Sequence, residues 1–487
     1  MRHILLTMIC LLSVAADAQT ITWSAAVSVA ANTFANQHPR VVVNAAGDPV
    51  ILWGKSSTNS AYFSRWTGSA FSMPMQINPA GVSIFSSSWA GPDIASKGDT
   101  LYVVYKGEPE DTGGIYVRRS TDGGSSFGMQ VRVDNTLAGN STRFPSISTD
   151  VAGQPIVAYM QFSVGFTSAR WVVAKSMNWG TGFMTEVLAS GFNGEPVCDC
   201  CPGTVVSSGS TMAMLYRNNW SNKRTSWTGI STNGGVSFPA GMEVDNTNWN
   251  ISACPSSGPD GVIVDDTLYS AYMSGAGGAK VYYSKSKLSS MQAGPATPIV
   301  GMSMGIDGQN YPRIASDGKA VAIVWKQQEN NQGQVGLLFA PNVQDGFPAW
   351  EKVITNSNGN YIENADVAIK AGVVHVVWED VVSGTVKYQK GTFTPTGVGK
   401  TIRTDALILS PLPANEALFV GFKDGNTPGH CTLGITDITG RVVYERQYAT
   451  LSGRVEVPTG HLPNGFYLVK ISGAGSVYTQ KFVVSHP

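Results

Sequence analysis

Apolar and polar positions in this chain alternate in short bursts. Runs of four to eight residues rich in Val, Ile, Tyr and Trp are cut by Gly, Asp, Asn and Ser, the period-two signature of strands joined by tight turns. The bursts recur. Seven segments open alike: His38-Pro39-Arg40-Val41, Gly91-Pro92-Asp93-Ile94, Phe144-Pro145-Ser146-Ile147, Cys201-Pro202, Gly258-Pro259-Asp260, Tyr311-Pro312-Arg313-Ile314 and Asn364-Ala365-Asp366-Val367. They are spaced by 53, 53, 57, 57, 53 and 53 residues. About a dozen residues into each segment, a second apolar run ends in an aromatic: Trp53, Tyr105, Tyr159, Tyr216, Tyr272, Trp325 and Trp378. Two further strand-like runs usually follow, such as Ile115-Tyr116-Val117 and Val131-Arg132-Val133.

Four short strands per repeat of this length predict a β-propeller blade. The expected fold is all-β, a seven-bladed propeller followed by a small Ig-like sandwich. A six-bladed ring with one displaced repeat is the other count. The last repeat supplies only three strands, and Thr20 to Ala30 reads as the fourth, closing the ring on blade 7. The domains expected are a signal peptide over 1–18, the propeller over 19–396 and a C-terminal domain over 403–487.

Composition narrows the class. Lys plus Arg equals Asp plus Glu, 33 each, so no basic surface is expected for nucleic acid or polyanionic membrane. Charged residues are 14%, Gly numbers 54, and 47 residues are aromatic, a profile of an exported β protein. Arg2 and His3 precede the apolar run Ile4 to Val14, and Ala16-Asp17-Ala18 supplies small residues for cleavage. That run is too short to span a bilayer, and no later stretch reads as a transmembrane segment.

Ser120-Thr121-Asp122-Gly123-Gly124-Ser125-Ser126-Phe127 fits S-x-D-x-G-x-x-[WF], and Ser231 to Phe238 fits with Asn233 for Asp. Ser176 to Phe183 and Ser64 to Phe71 are degraded copies. Here the chain resembles the Asp-box (BNR-repeat) propellers, the group that includes sialidases. The resemblance implies structural roles for Ser120, Asp122, Gly124, Phe127, Ser231, Asn233, Gly235 and Phe238.

The 53-residue pattern stops after Thr394-Pro395-Thr396-Gly397. Pro411-Leu412-Pro413-Ala414 with Leu418, then Asp437-Ile438-Thr439-Gly440-Arg441, Leu462-Pro463-Asn464-Gly465-Phe466-Tyr467 and Lys481-Phe482-Val483 follow in order. This order resembles the type A C-terminal sorting domain of the type IX (Por) secretion system, with Leu412 standing where Asn is common. The resemblance implies an Ig-like sandwich, the secretion machinery as a partner, and export to the cell surface or the extracellular space.

Five cysteines lie beyond the signal peptide. Cys198, Cys200 and Cys201 stand at the start of blade 4 and Cys254 just before blade 5, so the four are expected at one rim. Disulfides are the expectation in an exported protein, two of them, with a bridge between the two blade starts. A thiolate zinc or copper(I) site completed by Asp199 and a redox-active arrangement are the alternatives, and no cofactor is favoured. Cys431 is left as a buried thiol.

Strand starts and the loops after second strands share a face in a propeller. That face would gather Arg40, Asp93, Asp199, Asp260, Arg313 and Asp366, with Lys55, Lys106, Glu108, Arg217, Lys326, Glu379 and Asp380 from the loops. Arg40, Asp93, Arg217, Asp260, Arg313 and Asp366 are the ligand-binding candidates, since Arg grips a carboxylate bidentately. The expected function is binding of a glycan or other surface ligand without catalysis. The alternatives are an exo-α-sialidase-type hydrolase and a thiolate metal-binding propeller. Sialidases imply three arginines, a Tyr nucleophile with a Glu, and an Asp acid/base, for which the candidates are Tyr311, Asp93 and Asp260. Their Arg-Ile-Pro motif is departed from here: blade 1 reads His38-Pro39-Arg40, and Arg143-Phe144-Pro145 is the nearest match.

Overall fold

The structure is a computed structural model. It describes residues 21–29, 34–135, 139–301, 305–353, 361–394, 401–403, 407–423, 431–438, 441–451, 453–473 and 476–486. The expected signal peptide lies outside the described residues. The chain divides into two compact units between Thr394 and Pro395. Among the described residues helical structure is limited to two single 3-10 turns, Phe192–Gly194 and Val343–Asp345.

The first unit holds seven antiparallel sheets, each in chain order from an inner strand outward. The inner strands are Asn36–Val43, Asp93–Lys97, Ser141–Thr149, Thr204–Ser208, Asp260–Val264, Ile306–Ser316 and Ile362–Lys370, for blades 1 to 7. Each packs on the next, and Ile362–Lys370 packs on Asn36–Val43, so the ring closes with seven blades. Blade 7 supplies three strands from its own repeat and takes its fourth from the N-terminal segment. Thr22 and Trp23 pair with Thr392 and Gly391, and Val27 and Ser28 pair with Tyr388 and Lys387.

Period-two alternation explains the packing. In the second strand of blade 1, Pro49–Lys55, Ile51 and Trp53 turn toward blade 7 while Val50 and Leu52 turn toward blade 2. Both faces are therefore buried, and the strand reads as a continuous apolar run. Seven hydrophobic clusters result, one between each pair of neighbouring blades. The aromatics that end the second strands are all buried, from Tyr105 at 0% to Trp378 at 3% exposure.

Turns between third and fourth strands are closed by side chains. Ser120 Oγ accepts from Gly124 N at 2.9 Å, and Asp122 Oδ1 accepts from Ser126 N at 3.0 Å. Ser231 with Asn233 repeats the pattern toward Gly235 and Ser237. Ser176 accepts from Gly180 N at 2.8 Å in the same way. The Ser64 copy differs: Ser64 Oγ donates to Ser72 O at 2.8 Å.

The second unit is a sandwich of two sheets. One is built from Thr401–Arg403, Cys431–Asp437, Val442–Tyr448, Gly465–Gly473 and Ser476–Val484, the other from Leu407–Ser410, Ala417–Phe422 and Val455–Pro458. Leu418, Val420, Leu433, Ile435, Val457, Val469 and Ile471 fill its core, beside the buried free thiol of Cys431. Its motif residues shape turns: Asp437 Oδ1 accepts from Arg441 N at 3.1 Å, and Tyr467 Oη donates to Pro463 O at 2.8 Å.

Candidate functional site

The repeated Pro motifs carry the local irregularity that builds the site. Inner strands of blades 1, 3, 6 and 7 bulge at the motif, between Gln37 and Arg40, Arg143 and Ser146, Asn310 and Arg313, and Ile362 and Ala365. His38, Phe144 and Tyr311, each just before a proline, have φ of 55°, 51° and 49°. Non-glycine residues rarely hold that conformation, and it clusters at functional sites. All three line the axial pocket, together with Trp89 and Asn364.

The residues after the prolines in blades 2, 3 and 5, and Asp366 after Ala365 in blade 7, bond to the backbone of the neighbouring blade. Asp93 Oδ2 accepts from Ile147 N, Ser146 Oγ from Val205 N, Asp260 Oδ2 from Ile314 N and Asp366 Oδ2 from Val41 N, at 2.8 to 3.1 Å. Each bond staples one inner strand to the next blade. The carboxylates also hold the arginines. Arg313 Nε lies 2.9 Å from Asp366 Oδ1 and 3.3 Å from Asp260 Oδ2, and Arg40 Nε lies 3.7 Å from Asp93 Oδ1. Asp93, Asp260 and Arg313 line both the axial pocket and the groove on the other side, so this network plugs the channel. Burial lowers the Arg40 pKa to about 10, aided by Arg313. Burial also acts against charge on Arg313, but Asp260, Asp366 and Asp93 outweigh it and hold that guanidinium charged.

Arg217 does not join them. It is fully buried and donates to Ser257 O, Arg224 O and Met273 O at 3.0, 2.6 and 2.8 Å. Lys106 is likewise spent on carbonyls, Gly107 O and Gly113 O at 2.7 Å each, and burial lowers its pKa to about 8. Asp199 is exposed.

Tyr311 stands in a cluster that the sequence spacing did not bring together. Lys326 Nζ lies 2.6 Å from Glu363 Oε2 and above the rings of Tyr311 and Tyr361, 5.2 and 5.9 Å from their centroids. Burial, then Glu363 and Glu379, push Tyr311 up to about 12. Glu379 is itself pushed up to about 7 by burial, and its Oε2 accepts from His38 N at 3.1 Å and Asn364 Nδ2 at 3.4 Å.

A second pocket shares Trp89 and Phe144 with the axial one. Its cavity volume is about 270 Å³, partly open to solvent, and it adds Phe85, Lys106, Glu110, Arg143, Cys200, Cys254 and Ser256. Phe85, Trp89 and Phe144 pack edge-on as a triangle, with centroids 5.1 to 6.5 Å apart. Arg143 pairs with Glu110 and lies over Phe162 and Phe166, 5.0 and 4.5 Å from their centroids. Trp89 and Phe85 escape sequence reasoning because they sit in the loop before the blade 2 motif and outside the repeat.

At this pocket's edge Cys200 is bonded to Cys254, bridging the starts of blades 4 and 5. The second disulfide expected is not formed: Cys198 and Cys201 are free and buried, with sulfurs 3.3 Å apart. At 3.3 Å the two sulfurs stand beyond the roughly 2.05 Å of a disulfide bond, and Arg224 Nη1 donates to Cys198 Sγ at 2.9 Å. Hydrogen bonding from Cys201 and the nearby Cys200 backbone, with Arg224 and Arg217, lowers Cys198 to about 6 against the effect of burial. Burial raises Cys201 well above the usual thiol range. Sγ atoms of Cys198, Cys200 and Cys201 lie within 4.8 Å of one another, but the bridge leaves two thiols among them, short of a three- or four-thiolate cage. Arg224 has no motif signal; only its fold neighbours reveal it.

Residues 409–485 match the family described as secretion system C-terminal sorting domain. The protein is exported by the type IX route, to the cell surface or the extracellular space. No helix among the described residues is long and apolar enough to cross a membrane. No curated protein matches the chain. Among solved structures it is similar to the α-L-arabinanase of Penicillium chrysogenum, at 15% identity over 65% of this chain and 98% of that one, TM-score 0.43. It is similar to PorZ of Porphyromonas gingivalis, a surface component of the type IX secretion system, at 11% over 90% and 58%, TM-score 0.38. It is also similar to a PL25 ulvan lyase, at 10% over 74% and 94%, TM-score 0.49.

Proposed function

We propose that the exported propeller binds a glycan in the pocket beside Trp89, without cleaving it. The observation that carries this reading is the pairing of an aromatic wall, Phe85, Trp89 and Phe144, with the charged groups of Glu110 and Arg143. A sugar ring lays its apolar C–H face on an aromatic ring and turns its hydroxyls toward polar groups, which fits a concave site with few polar anchors. The turns at Ser120, Ser176 and Ser231 support the likeness to Asp-box propellers, where such a site is expected on the opposite face.

Sialidase-type hydrolysis is the less supported reading. It needs arginines free to grip a carboxylate, whereas Arg40 and Arg313 answer Asp93, Asp260 and Asp366, and Arg217 answers three carbonyls. Titration calorimetry of the full exported chain against neutral and acidic oligosaccharides tests the proposal. Trp89→Ala should weaken binding about tenfold or more with the fold intact. Unchanged affinity in that variant, or turnover of a fluorogenic sialoside lost in Tyr311→Phe, would overturn it.

A further inference from the structure

The four cysteines of blades 4 and 5 form two pairs in contact, one reduced and one oxidised. Cys198 Sγ lies 3.3 Å from Cys201 Sγ and 3.5 Å from Cys200 Sγ, and Cys200 is already bonded to Cys254. A sulfur at that distance from a disulfide needs only a small approach to attack it. The surroundings differ along the line. Cys198 and Cys201 are buried, whereas Cys254 is exposed at the rim of the Trp89 pocket.

We propose that Cys198, Cys201, Cys200 and Cys254 form a thiol–disulfide relay that carries a buried dithiol's electrons to an exposed outlet at Cys254. The Cys198 thiolate attacks Cys200 Sγ. A Cys198–Cys200 bond forms, the Cys200–Cys254 bond breaks, and its electron pair leaves on Cys254 Sγ, which takes a proton from solvent. Cys201 then gives its proton to solvent and attacks Cys198 Sγ. The Cys198–Cys201 bond forms, and the pair leaves on Cys200 Sγ, which is protonated in turn. One disulfide and two thiols stand on each side, so the exchange needs no outside oxidant. It converts two inaccessible thiols into two that border the pocket, where an external disulfide can be reduced.

The groups nearby suit each role. The hydrogen bond from Cys201, with Arg224 Nη1 2.9 Å from Cys198 Sγ, holds the nucleophile's pKa below the usual thiol range. Ser256 Oγ lies 3.3 Å from Cys254 Sγ and donates to the thiolate that leaves there. Cys201, held protonated by burial, waits until the first step has spent Cys198.

Iodoacetamide labelling of the unreduced full-length protein, mapped by peptide mass spectrometry, tests the relay. Cys254 should be alkylated without added reductant, at a rate that rises with pH as Cys198 ionises. In Cys201→Ser the first step still occurs, so Cys254 remains labelled and a Cys198–Cys200 disulfide appears within a single peptide. In Cys198→Ser labelling of Cys254 should fall at least about tenfold. Wild-type protein in which the Cys200–Cys254 pair stays intact and unlabelled overturns the relay, whatever the variants do. So does a stoichiometric metal ion held by Cys198 and Cys201 in the purified protein.

Discussion

Arg313 Nε, on the inner strand of blade 6, sits 3.3 Å from Asp260 of blade 5 and 2.9 Å from Asp366 of blade 7. One guanidinium therefore ties three consecutive blades at the axis. Removing it leaves two buried carboxylates facing each other with only Arg40 in reach. Arg313→Ala should cost about 3–5 kcal/mol, the usual cost of breaking a buried pair from one side. Equilibrium denaturation of the secreted protein checks this, and Arg313→Lys should recover part of the loss. A loss below about 1 kcal/mol would show that the network is idle.

Glu379 supplies a pH test. Its folded pKa is raised to about 7 by burial, from an ordinary value of about 4.3. Its contribution to stability is therefore fully present below the unfolded value and is lost as pH rises through about 7. His38, whose pKa burial lowers, acts oppositely and destabilises as pH falls below its ordinary value. Glu379→Gln keeps an acceptor for His38 N–H and removes the charge. It should be more stable than wild type at about pH 8, with the gap closing toward about pH 5. Denaturant midpoints at the two values decide; a gap that does not change with pH would refute the assignment.

Gly124 is the narrow point of the Ser120 turn. Its φ is +87°, and a Cβ there would stand 2.2 Å from Phe63 Cζ. Gly124→Ala combines left-handed backbone strain with overpacking, and should cost on the order of 2–4 kcal/mol. Ser120→Ala, which orphans the Gly124 N–H and removes the Oγ bonds to Asp122, should cost about 1–2 kcal/mol. Thermal unfolding of the two variants side by side gives the order; the reverse order would mean the hydroxyl, not the space, limits the turn.

Deleting residues 406–487 removes the matched sorting domain along with the Asp437–Arg441 and Tyr467–Pro463 turns. The truncated propeller should accumulate in the periplasm. Fractionation with a propeller antibody checks this, and unchanged delivery to the surface would contradict the export route.

The blades were legible because each second strand is apolar on both faces, so Ile51 and Trp53 announce the repeat as clearly as Val50 and Leu52. The borrowed fourth strand of blade 7 was legible by counting, because the last repeat supplies only three strands. The axis was not. A polar residue after a proline looks alike whether it meets solvent or, like Asp93, a backbone N–H of the next blade; only ring closure distinguishes them. A bridge from the blade 4 cysteines to Cys254 was legible from their location, but the choice of Cys200 as partner was not. Nor was the setting of Cys198, whose partner Arg224 lies 26 residues away in a loop without a motif. Trp89 and Phe85 fall between repeats, where periodicity has nothing to say.

Thr22 pairs with Thr392 across 370 residues of chain. The propeller is thus fastened by a clasp whose halves are the earliest and the last propeller residues to be synthesised. Until the two halves pair, the third strand of blade 7 has an open edge, the kind that recruits foreign strands. Loop closure over such a separation is entropically costly and is paid before the final contacts form, so the ring should be slow to complete. Passage to the outside therefore sets a clock: a chain presented to the exporter before its clasp has shut travels as an unfinished circle.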